Sequence, residues 1–298
     1  MIHSVTSHSE YEPLRGPIAV TGATGVLGRA FLRLASKRGA GPLRALVRPA
    51  TPPPPGVEVI PGDLGSTTAL EQLVAGTSAV VHLAAAMGGV SDADLHRVNA
   101  EGTERLVEIA SAAGVPRFVF TSSVAASRPE HGPYSRSKLE AEQRVLSSDL
   151  KTTVLRLPVL FGPGSQVESV IFGLTRYSPL LPVIRGGLLR PLHVDDAAAA
   201  CLAAVHRPEA TGLFSLAGPD ALSFAQFATK LARSRGMRRR GVPLPAKLFL
   251  MAAWGLQFAG QSGIRAESIR AAAAGTPMGD GDLASLGWRP QPLADWLG

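Results

Sequence analysis

Tyr134 and Lys138 stand four residues apart in the segment Tyr-Ser-Arg-Ser-Lys, and this spacing places two side chains on one face of a helix. An ammonium group near a phenol favours the phenolate, so Lys138 is expected to lower the pKa of Tyr134. A tyrosine in that state can exchange protons with a bound molecule near neutral pH. The alternative is a chance pair on a solvated helix, so neighbouring motifs must decide between the two.

A second candidate group precedes this pair. The segment Phe118-Val-Phe-Thr-Ser-Ser123 is an apolar run that ends in hydroxyl side chains, as a buried strand with a polar end would. Ligands of open α/β sheets bind at the carboxyl ends of the strands. Ser123 is therefore placed to donate a hydrogen bond beside Tyr134, although serines also end strands as ordinary turn residues.

A glycine-rich turn near the start of the chain indicates an anion site. Residues 18–28 read Ile-Ala-Val-Thr-Gly-Ala-Thr-Gly-Val-Leu-Gly, a short apolar strand followed by a turn and a helix. Unpaired backbone N–H groups and the helix dipole point at one spot in such a turn. We expect Gly22 to permit the turn, Gly25 to let a pyrophosphate approach, and Gly28 to let the helix pack on the strand.

The elements around these motifs alternate between apolar runs and helical patterns. Repeated β-α units predict a Rossmann-type α/β fold, a doubly wound parallel sheet with right-handed crossovers. We expect the first three strands to be buried on both faces. The predicted strands are residues 18–21, 44–47, 57–60, 79–83, 117–121 and 153–157, and the predicted helices between them include 67–74 and 99–113.

The pattern loosens after about residue 162, where proline and glycine become frequent. We expect residues 15–162 to form a dinucleotide-binding domain. Residues 163–298 are expected to form mainly a small C-terminal substrate lobe, with segments that return to the first domain. Helical patterns in this part cover residues 194–205, 224–235 and 246–259.

Composition narrows the class of protein. A single cysteine, Cys201, excludes a disulfide scaffold and fits a reducing, cytoplasmic location. The polar start of the chain carries no signal-peptide core, and no stretch of 18 apolar residues predicts a membrane span. The net charge of +7 comes mainly from arginine, but the one dense basic run, residues 238–240, has no aromatic neighbours, so we expect no nucleic-acid partner.

Taken together, these blocks resemble the extended short-chain dehydrogenase/reductase family, also described as NAD-dependent epimerase/dehydratase. The resemblance runs from residue 18 to the C-terminus. It also includes Gly62-Asp-Leu64, Val80-Val-His-Leu-Ala-Ala85, Val98-Asn-Ala-Glu-Gly-Thr103, Leu155-Arg-Leu-Pro158, His193-Val-Asp-Asp-Ala197 and Leu286-Gly-Trp-Arg-Pro290.

The resemblance implies a role for each matching residue. Ser123 would polarise a substrate oxygen, Tyr134 would exchange the proton, Lys138 would hold the nicotinamide ribose, and Asn99 would support a proton-relay water. One departure is the short connection of ten residues between Ser123 and Tyr134, which suggests an open pocket. The residues expected to contact the cofactor are Gly22, Thr24, Gly25, Val26, Leu27, Gly28, Arg48, Asp63, Leu64, Leu83, Ala84, Ala85, Tyr134, Lys138 and Pro158.

The end of the second strand indicates which cofactor is used. A carboxylate there bonds both ribose hydroxyls of NAD, whereas an arginine binds the 2′-phosphate of NADP. The strand here ends Val47-Arg48 with no acidic residue, and Arg29 could add a second contact. We therefore expect NADP, with NAD possible. The Val-Arg ending resembles NADPH-using reductases of the dihydroflavonol and cinnamoyl-CoA reductase type.

Three functions remain open from the sequence. The first is an NADPH-dependent ketoreductase acting on an apolar ketone or alcohol, favoured by the apolar segment 242–259 with Leu248, Met251 and Trp254. The second is a nucleotide-sugar epimerase or dehydratase with bound NAD, for which Arg190 could grip a diphosphate. The third is a non-catalytic dinucleotide-binding regulator. A homodimer is possible, and His193 beside two aspartates is expected to be structural rather than a metal ligand.

Overall fold

A computed structural model describes residues 14–128, 132–175, 180–245, 247–248, 267, 270, 273–277 and 283–297. Its centre is a parallel sheet of seven strands. These are β1 (Ile18–Thr21), β2 (Leu43–Val47), β3 (Glu58–Pro61), β4 (Ala79–His82), β5 (Phe118–Ser123), β6 (Thr152–Leu157) and β11 (Gly212–Ser215). Their order across the sheet is β11-β6-β5-β4-β1-β2-β3, and every neighbouring pair is parallel.

Helices cover both faces of this sheet. The first are α1 (Val26–Lys37), α2 (Thr67–Val74), α3 (Asp92–His96), α4 (Gly102–Ala112) and α5 (Pro133–Leu146). Buried side chains of α1 form one hydrophobic core with strands β1 and β2, while those of α2, α4 and α5 form a second core on the opposite face. The sheet is thus wound on both sides, and the predicted Rossmann-type fold is confirmed.

The later part of the chain adds shorter elements. They are β7 (Leu160–Phe161), α6 (Gln166–Thr175), β8 (Leu180–Ile184), β9 (Leu188–Leu189), β10 (Leu192–His193), α7 (Val194–His206), β12 (Leu222–Ser223), α8 (Phe224–Ser234), β13 (Arg240–Leu244) and α9 (Leu293–Leu297). Helix α7 packs against α1 in the first core. A third, smaller core gathers Phe161, Ile171, Val183 and Phe227, with Leu293 from the end of the chain.

Three sequence expectations differ from the structure. The expectation that all of the first three strands are buried is wrong for β3, because it is the edge strand and its side chains are mostly exposed. The predicted helix over residues 99–113 starts instead as a π-helical turn, Arg97–Glu101, before α4. Strand β11 was not predicted, because four residues beginning with a glycine carry too little periodicity to stand out.

Much of the predicted apolar helix 246–259 lies outside the described residues, as do Met251 and Trp254, whereas Leu248 is described and about half exposed. None of the helices within the described ranges is long and apolar enough to cross a membrane.

Candidate functional site

The glycine turn after β1 has the geometry of a phosphate cradle. Gly22 has φ +70°, and a Cβ there would lie 2.6 Å from the backbone nitrogen of Ala84. A Cβ on Gly28 would lie 2.1 Å from the carbonyl oxygen of Gly22, so α1 approaches the turn as closely as glycine allows. Gly25 is the N-cap of α1 and supplies no capping side chain, which leaves the first N–H groups of the helix directed at the turn.

The walls beside this turn come from the ends of neighbouring strands. Thr24, Val26 and Leu27 are partly exposed around the turn. Leu83 follows β4 and donates its N–H to the carbonyl of Thr21 at 3.2 Å. Asp63 follows β3, is exposed and accepts a hydrogen bond from Gly65 N at 2.8 Å.

The remaining predicted contacts lie on the same edge of the sheet. Leu64 is buried. A Cβ on Gly102 would lie 2.9 Å from the Cβ of Leu64, so α4 packs closely against this residue. Ala84 and Ala85 follow Leu83 and are at least partly exposed, while Pro158 follows β6 and is buried. These carboxyl-terminal strand ends form one surface around the strand-order reversal between β1 and β4, where α/β sheets bind dinucleotides.

Two arginines flank the cradle. Arg48 follows the last residue of β2 and is exposed, and its guanidinium makes no hydrogen bond or ion pair with any other residue that the structure describes. Arg29 lies in the first turn of α1 and donates from Nε to the carbonyl of Thr24 at 3.0 Å. Positive charge is therefore available next to the turn, and β2 ends without a carboxylate.

The structure brings Ser123, Tyr134 and Lys138 together at the carboxyl end of β5. Ser123 is the last residue of β5 and accepts a hydrogen bond from Ala125 N at 3.2 Å. Tyr134 is in the first turn of α5, and its hydroxyl is close enough to the Ser123 side chain for that group to act on its pKa. Lys138 is buried one turn later; its Nζ donates to the carbonyl of Thr121 at 2.8 Å and lies 4.2 Å from the ring centre of Phe120.

The protonation of this set differs from the expectation. Burial raises the pKa of Tyr134 to about 12, against a lowering by the Ser123 hydrogen bond, and the negative charge of Glu267 raises it further. Burial lowers the pKa of Lys138 to about 7, although Glu142 opposes the change. The expectation that Lys138 lowers the pKa of Tyr134 is therefore wrong here: burial raises that pKa, and the Lys138 ammonium is bound to the Thr121 carbonyl and loses charge near neutral pH.

Asn99 fixes the loop after β4 against α5. It lies in the π-helical turn, a feature that is frequent at functional sites, and is almost fully buried. Its Oδ1 accepts from Ala86 N at 2.7 Å, and its Nδ2 donates to Ala86 O and to Ser137 Oγ, both at 3.0 Å. Ser137 Oγ in turn donates to the carbonyl of Tyr134 at 2.9 Å. The Asn99 side chain thus links two parts of the site.

His82 is a site residue that the sequence analysis missed. Its Nδ1 lies 2.6 Å from Thr21 Oγ1 and its Nε2 lies 2.9 Å from Thr103 Oγ1. Thr103 donates to Asn99 O and Thr21 accepts from Ala84 N, so the hydrogen bonds are all satisfied only when Nε2 carries the proton and Nδ1 accepts.

Burial, followed by the charge of Lys138, lowers the pKa of His82 to about 3, so the ring is neutral. A histidine near the end of an apolar strand was the available signal, because a buried polar side chain needs partners. The network of His82 joins the strand that leads into the glycine turn to the backbone of Asn99.

The segment around His193 makes helix-capping and packing contacts. His193 is the N-cap of α7, accepts from Asp195 N at 3.2 Å, and stacks on Trp296 with ring centres 3.7 Å apart. Asp196 accepts hydrogen bonds from Gln291 N and Trp296 Nε1, both at 3.1 Å. Within the described part of the chain, no group of three metal-ligating side chains is close enough to hold a metal ion.

Arg190 and a cavity are the candidate substrate-binding features. Arg190 donates from Nη1 to the carbonyl of Pro219 at 3.2 Å, so part of its guanidinium is already used. A cavity of about 350 Å³ is lined by Pro163, Gly164, Glu168, Ser169, Phe172, Arg235 and Met237. A Cβ on Gly164 would lie 3.8 Å from Val26, which places this cavity beside the glycine turn.

Comparison with known proteins agrees with this geometry. Residues 18–216 match the model of the NAD dependent epimerase/dehydratase family. The chain is 35% identical over 239 residues to a ceramide reductase of Caulobacter vibrioides. This match covers 78% of this chain and 74% of that relative.

Two solved structures show the same likeness. A short-chain dehydrogenase/reductase superfamily protein from Agrobacterium tumefaciens with bound NAD is 28% identical, with a TM-score of 0.64 over 77% of this chain and 86% of that one. MoeE5 in complex with UDP-glucose and NAD is 26% identical, with a TM-score of 0.65 over 77% of this chain and 85% of that one.

The family match covers the glycine cradle and all of the strand ends described above, and the cradle leaves the free N–H groups and the open approach that a dinucleotide pyrophosphate needs. The chain therefore belongs to the NAD-dependent epimerase/dehydratase family of extended short-chain dehydrogenases/reductases, and it is an NAD(P)-dependent oxidoreductase.

Proposed function

We propose that this protein is an NADPH-dependent ketoreductase for an apolar carbonyl compound. The bound nicotinamide would supply a hydride to the carbonyl carbon. Ser123 donates a hydrogen bond to the carbonyl oxygen, and Tyr134 gives that oxygen a proton as it becomes an alcohol. Lys138 orients the nicotinamide ribose.

The observation that carries this proposal is the placement of Ser123, Tyr134 and Lys138 together at the carboxyl end of β5. Burial raises the pKa of Tyr134, so the phenol holds its proton at neutral pH and is available to a carbonyl oxygen. Oxidation of an alcohol by the same site would need the phenolate, so its rate is expected to rise with pH.

We assign NADP rather than NAD on the charges at the end of β2. The exposed Arg48 can turn onto a 2′-phosphate without breaking a contact with any described residue. Arg29 can join it by giving up one hydrogen bond to Thr24. Arginine binds phosphate through paired, charge-assisted hydrogen bonds, and no carboxylate at this strand end would repel the phosphate.

An apolar substrate is supported by one relative. A protein that matches 78% of this chain is named ceramide reductase. The cavity beside the glycine turn is lined by Phe172 and Met237 and also by the charged Glu168 and Arg235, so it does not by itself favour an apolar ligand. We propose that residues 163–298 form mainly the substrate lobe and that the apolar segment 242–259 contributes to it, while residues 15–162 hold the cofactor.

A nucleotide-sugar epimerase or dehydratase with bound NAD is the second candidate. It is favoured by the likeness to MoeE5, whose structure holds UDP-glucose and NAD, and by the position of Arg190. A diphosphate needs at least two fixed cationic or backbone contacts. Arg190 already donates to Pro219, which weighs against this reading. A purely non-catalytic regulator would not need Ser123, Tyr134 and Lys138 assembled at one strand end.

The test compares two classes of ligand on the purified protein. NADPH and NADH are first compared with a panel of apolar aromatic and long-chain ketones, and we expect turnover with NADPH. UDP and dTDP are then titrated by calorimetry against wild type and Arg190→Ala. Micromolar binding of a nucleoside diphosphate that Arg190→Ala abolishes would replace the ketoreductase proposal with the epimerase or dehydratase.

A further inference from the structure

We propose that Glu267 is a positioning residue for Tyr134: its carboxylate caps the first turn of α5 through the backbone N–H groups of Tyr134 and Ser135. This inference rests on the proposed role of Tyr134 as the proton donor. It concerns a residue from the C-terminal part of the chain, more than 130 positions away from the two residues that it contacts.

The start of α5 lacks a cap of its own. Gly132 is the N-cap and has no side chain, Pro133 follows, and the first turn contains no acidic residue. Helix starts leave N–H groups without partners inside the helix. Glu267 meets this need with both oxygens: Oε2 accepts from Tyr134 N at 3.1 Å and Oε1 accepts from Ser135 N at 2.8 Å. A carboxylate is also the charge that a helix N-terminus favours.

The contact depends on the absence of a side chain at position 132. A Cβ on Gly132 would lie 2.5 Å from both Cδ and Oε2 of Glu267. Any larger residue there would push the carboxylate away from the helix. Gly132 and Glu267 therefore act as a matched pair that ties the C-terminal part of the chain to the backbone of the proposed proton donor.

The charge of Glu267 acts on the phenol as well as on the backbone. A nearby negative charge disfavours ionisation of a phenol, and Glu267 raises the pKa of Tyr134 in this way. The neighbouring groups are Ser123 at the end of β5, Lys138 one turn along α5, and Glu142 and the neutral His82, which both lie near Lys138. Among the groups that act on Tyr134 itself, Glu267 supplies the negative charge.

The test is the pH dependence of Glu267→Gln in the full chain. The probes are the ketone with the highest turnover in the panel above and its alcohol, with NADPH and NADP⁺. Glutamine keeps one acceptor for the helix but removes the charge. We expect the pH at which alcohol oxidation rises to fall by about one unit, while the Kd for NADPH stays within about twofold of wild type.

Two further variants make the outcome decisive. Gly132→Ala should give the same shift, because its Cβ displaces the carboxylate, and it serves if Glu267→Gln fails to fold. Glu108→Gln, on the exposed face of α4, is the matched control and should leave the profile unchanged. A uniform loss of rate with no shift in the pH profile would show a merely structural contact and overturn the inference, as would an unaltered profile in both variants.

Tyr134→Phe separates the two proposals. Retained turnover in this variant would contradict the proposed function. An inactive Tyr134→Phe together with an unshifted pH profile in Glu267→Gln would contradict only this inference.

Discussion

At the scale of single residues, burial shifts the pKa of each titratable group in the site. Tyr134 keeps its proton because its hydroxyl is desolvated, and Lys138 becomes easier to neutralise for the same reason. His82 is held neutral between two threonines. The residue types alone suggested a tyrosine activated by lysine, but the direction of each pKa depends on burial, which the sequence does not state.

Arg48 provides a prediction about cofactor choice. Arg48→Asp should shift preference from NADP(H) toward NAD(H), because a carboxylate repels the 2′-phosphate and accepts the ribose hydroxyls. A charge-assisted hydrogen bond contributes roughly 1.5–3 kcal/mol, so the ratio of the two kcat/KM values should change by more than about tenfold.

Steady-state kinetics with both cofactors would measure that ratio, with Arg38→Asp at the C-cap of α1 as a control of equal charge. A wild-type enzyme that already prefers NADH would show the interpretation of the β2 end to be incorrect.

At the scale of elements, the glycine turn was the part of the site that the sequence predicted best. Its glycines are required by backbone approach distances, and such requirements are local in sequence. The short strands β1, β2, β4, β5 and β6 were also predicted to within two residues at each end, because apolar runs between turns show them directly.

The features that the sequence did not predict depend on contacts between residues that are far apart along the chain. The network of His82 joins Thr21 to Thr103, and the cap of α5 comes from Glu267. The edge position of β3 follows from sheet order rather than from its own residues. The predicted homodimer and the roles of the cofactor-contacting residues stay predictions.

The turn itself can be tested with a pair of glycine substitutions. Gly22→Ala should weaken NADPH binding by at least about tenfold, since its Cβ would strike the backbone at Ala84 and shift the cradle. Gly39→Ala is the matched control: Gly39 has a similar φ of +60°, yet a Cβ there meets nothing within 4 Å.

Both substitutions carry the strain of a left-handed alanine, about 1–2 kcal/mol, so both should lower Tm. Fluorescence titration with NADPH distinguishes them, and equal affinities in the two variants would contradict the cradle geometry.

At the scale of the whole molecule, the end of the chain contacts helix α7 through Asp196. This carboxylate on α7 holds Gln291 and Trp296, and burial raises its pKa to about 6. Its folded pKa therefore lies above the ordinary value of 3.8, so the native state binds the extra proton between about pH 4 and pH 6. Stability from this group is present below that range and falls as the pH rises through it.

Asp196→Asn should remove that slope, because the amide oxygen can accept both hydrogen bonds without a charge. The change in unfolding free energy between pH 4 and pH 7 should shrink by at least about 1 kcal/mol. Urea unfolding at both pH values would measure it, with the exposed Asp149→Asn as control. An unchanged slope in Asp196→Asn would show that this carboxyl group does not titrate abnormally.

The central claim, proton donation by Tyr134, is tested most directly by single-turnover reduction with Tyr134→Phe. The NADPH-bound variant is mixed with the ketone that wild type reduces fastest, and loss of nicotinamide absorbance is followed. We expect the rate to fall by at least about 10²-fold, the scale of a positioned acid, while the Kd for NADPH stays near that of wild type. A rate within a few fold of wild type would contradict the account.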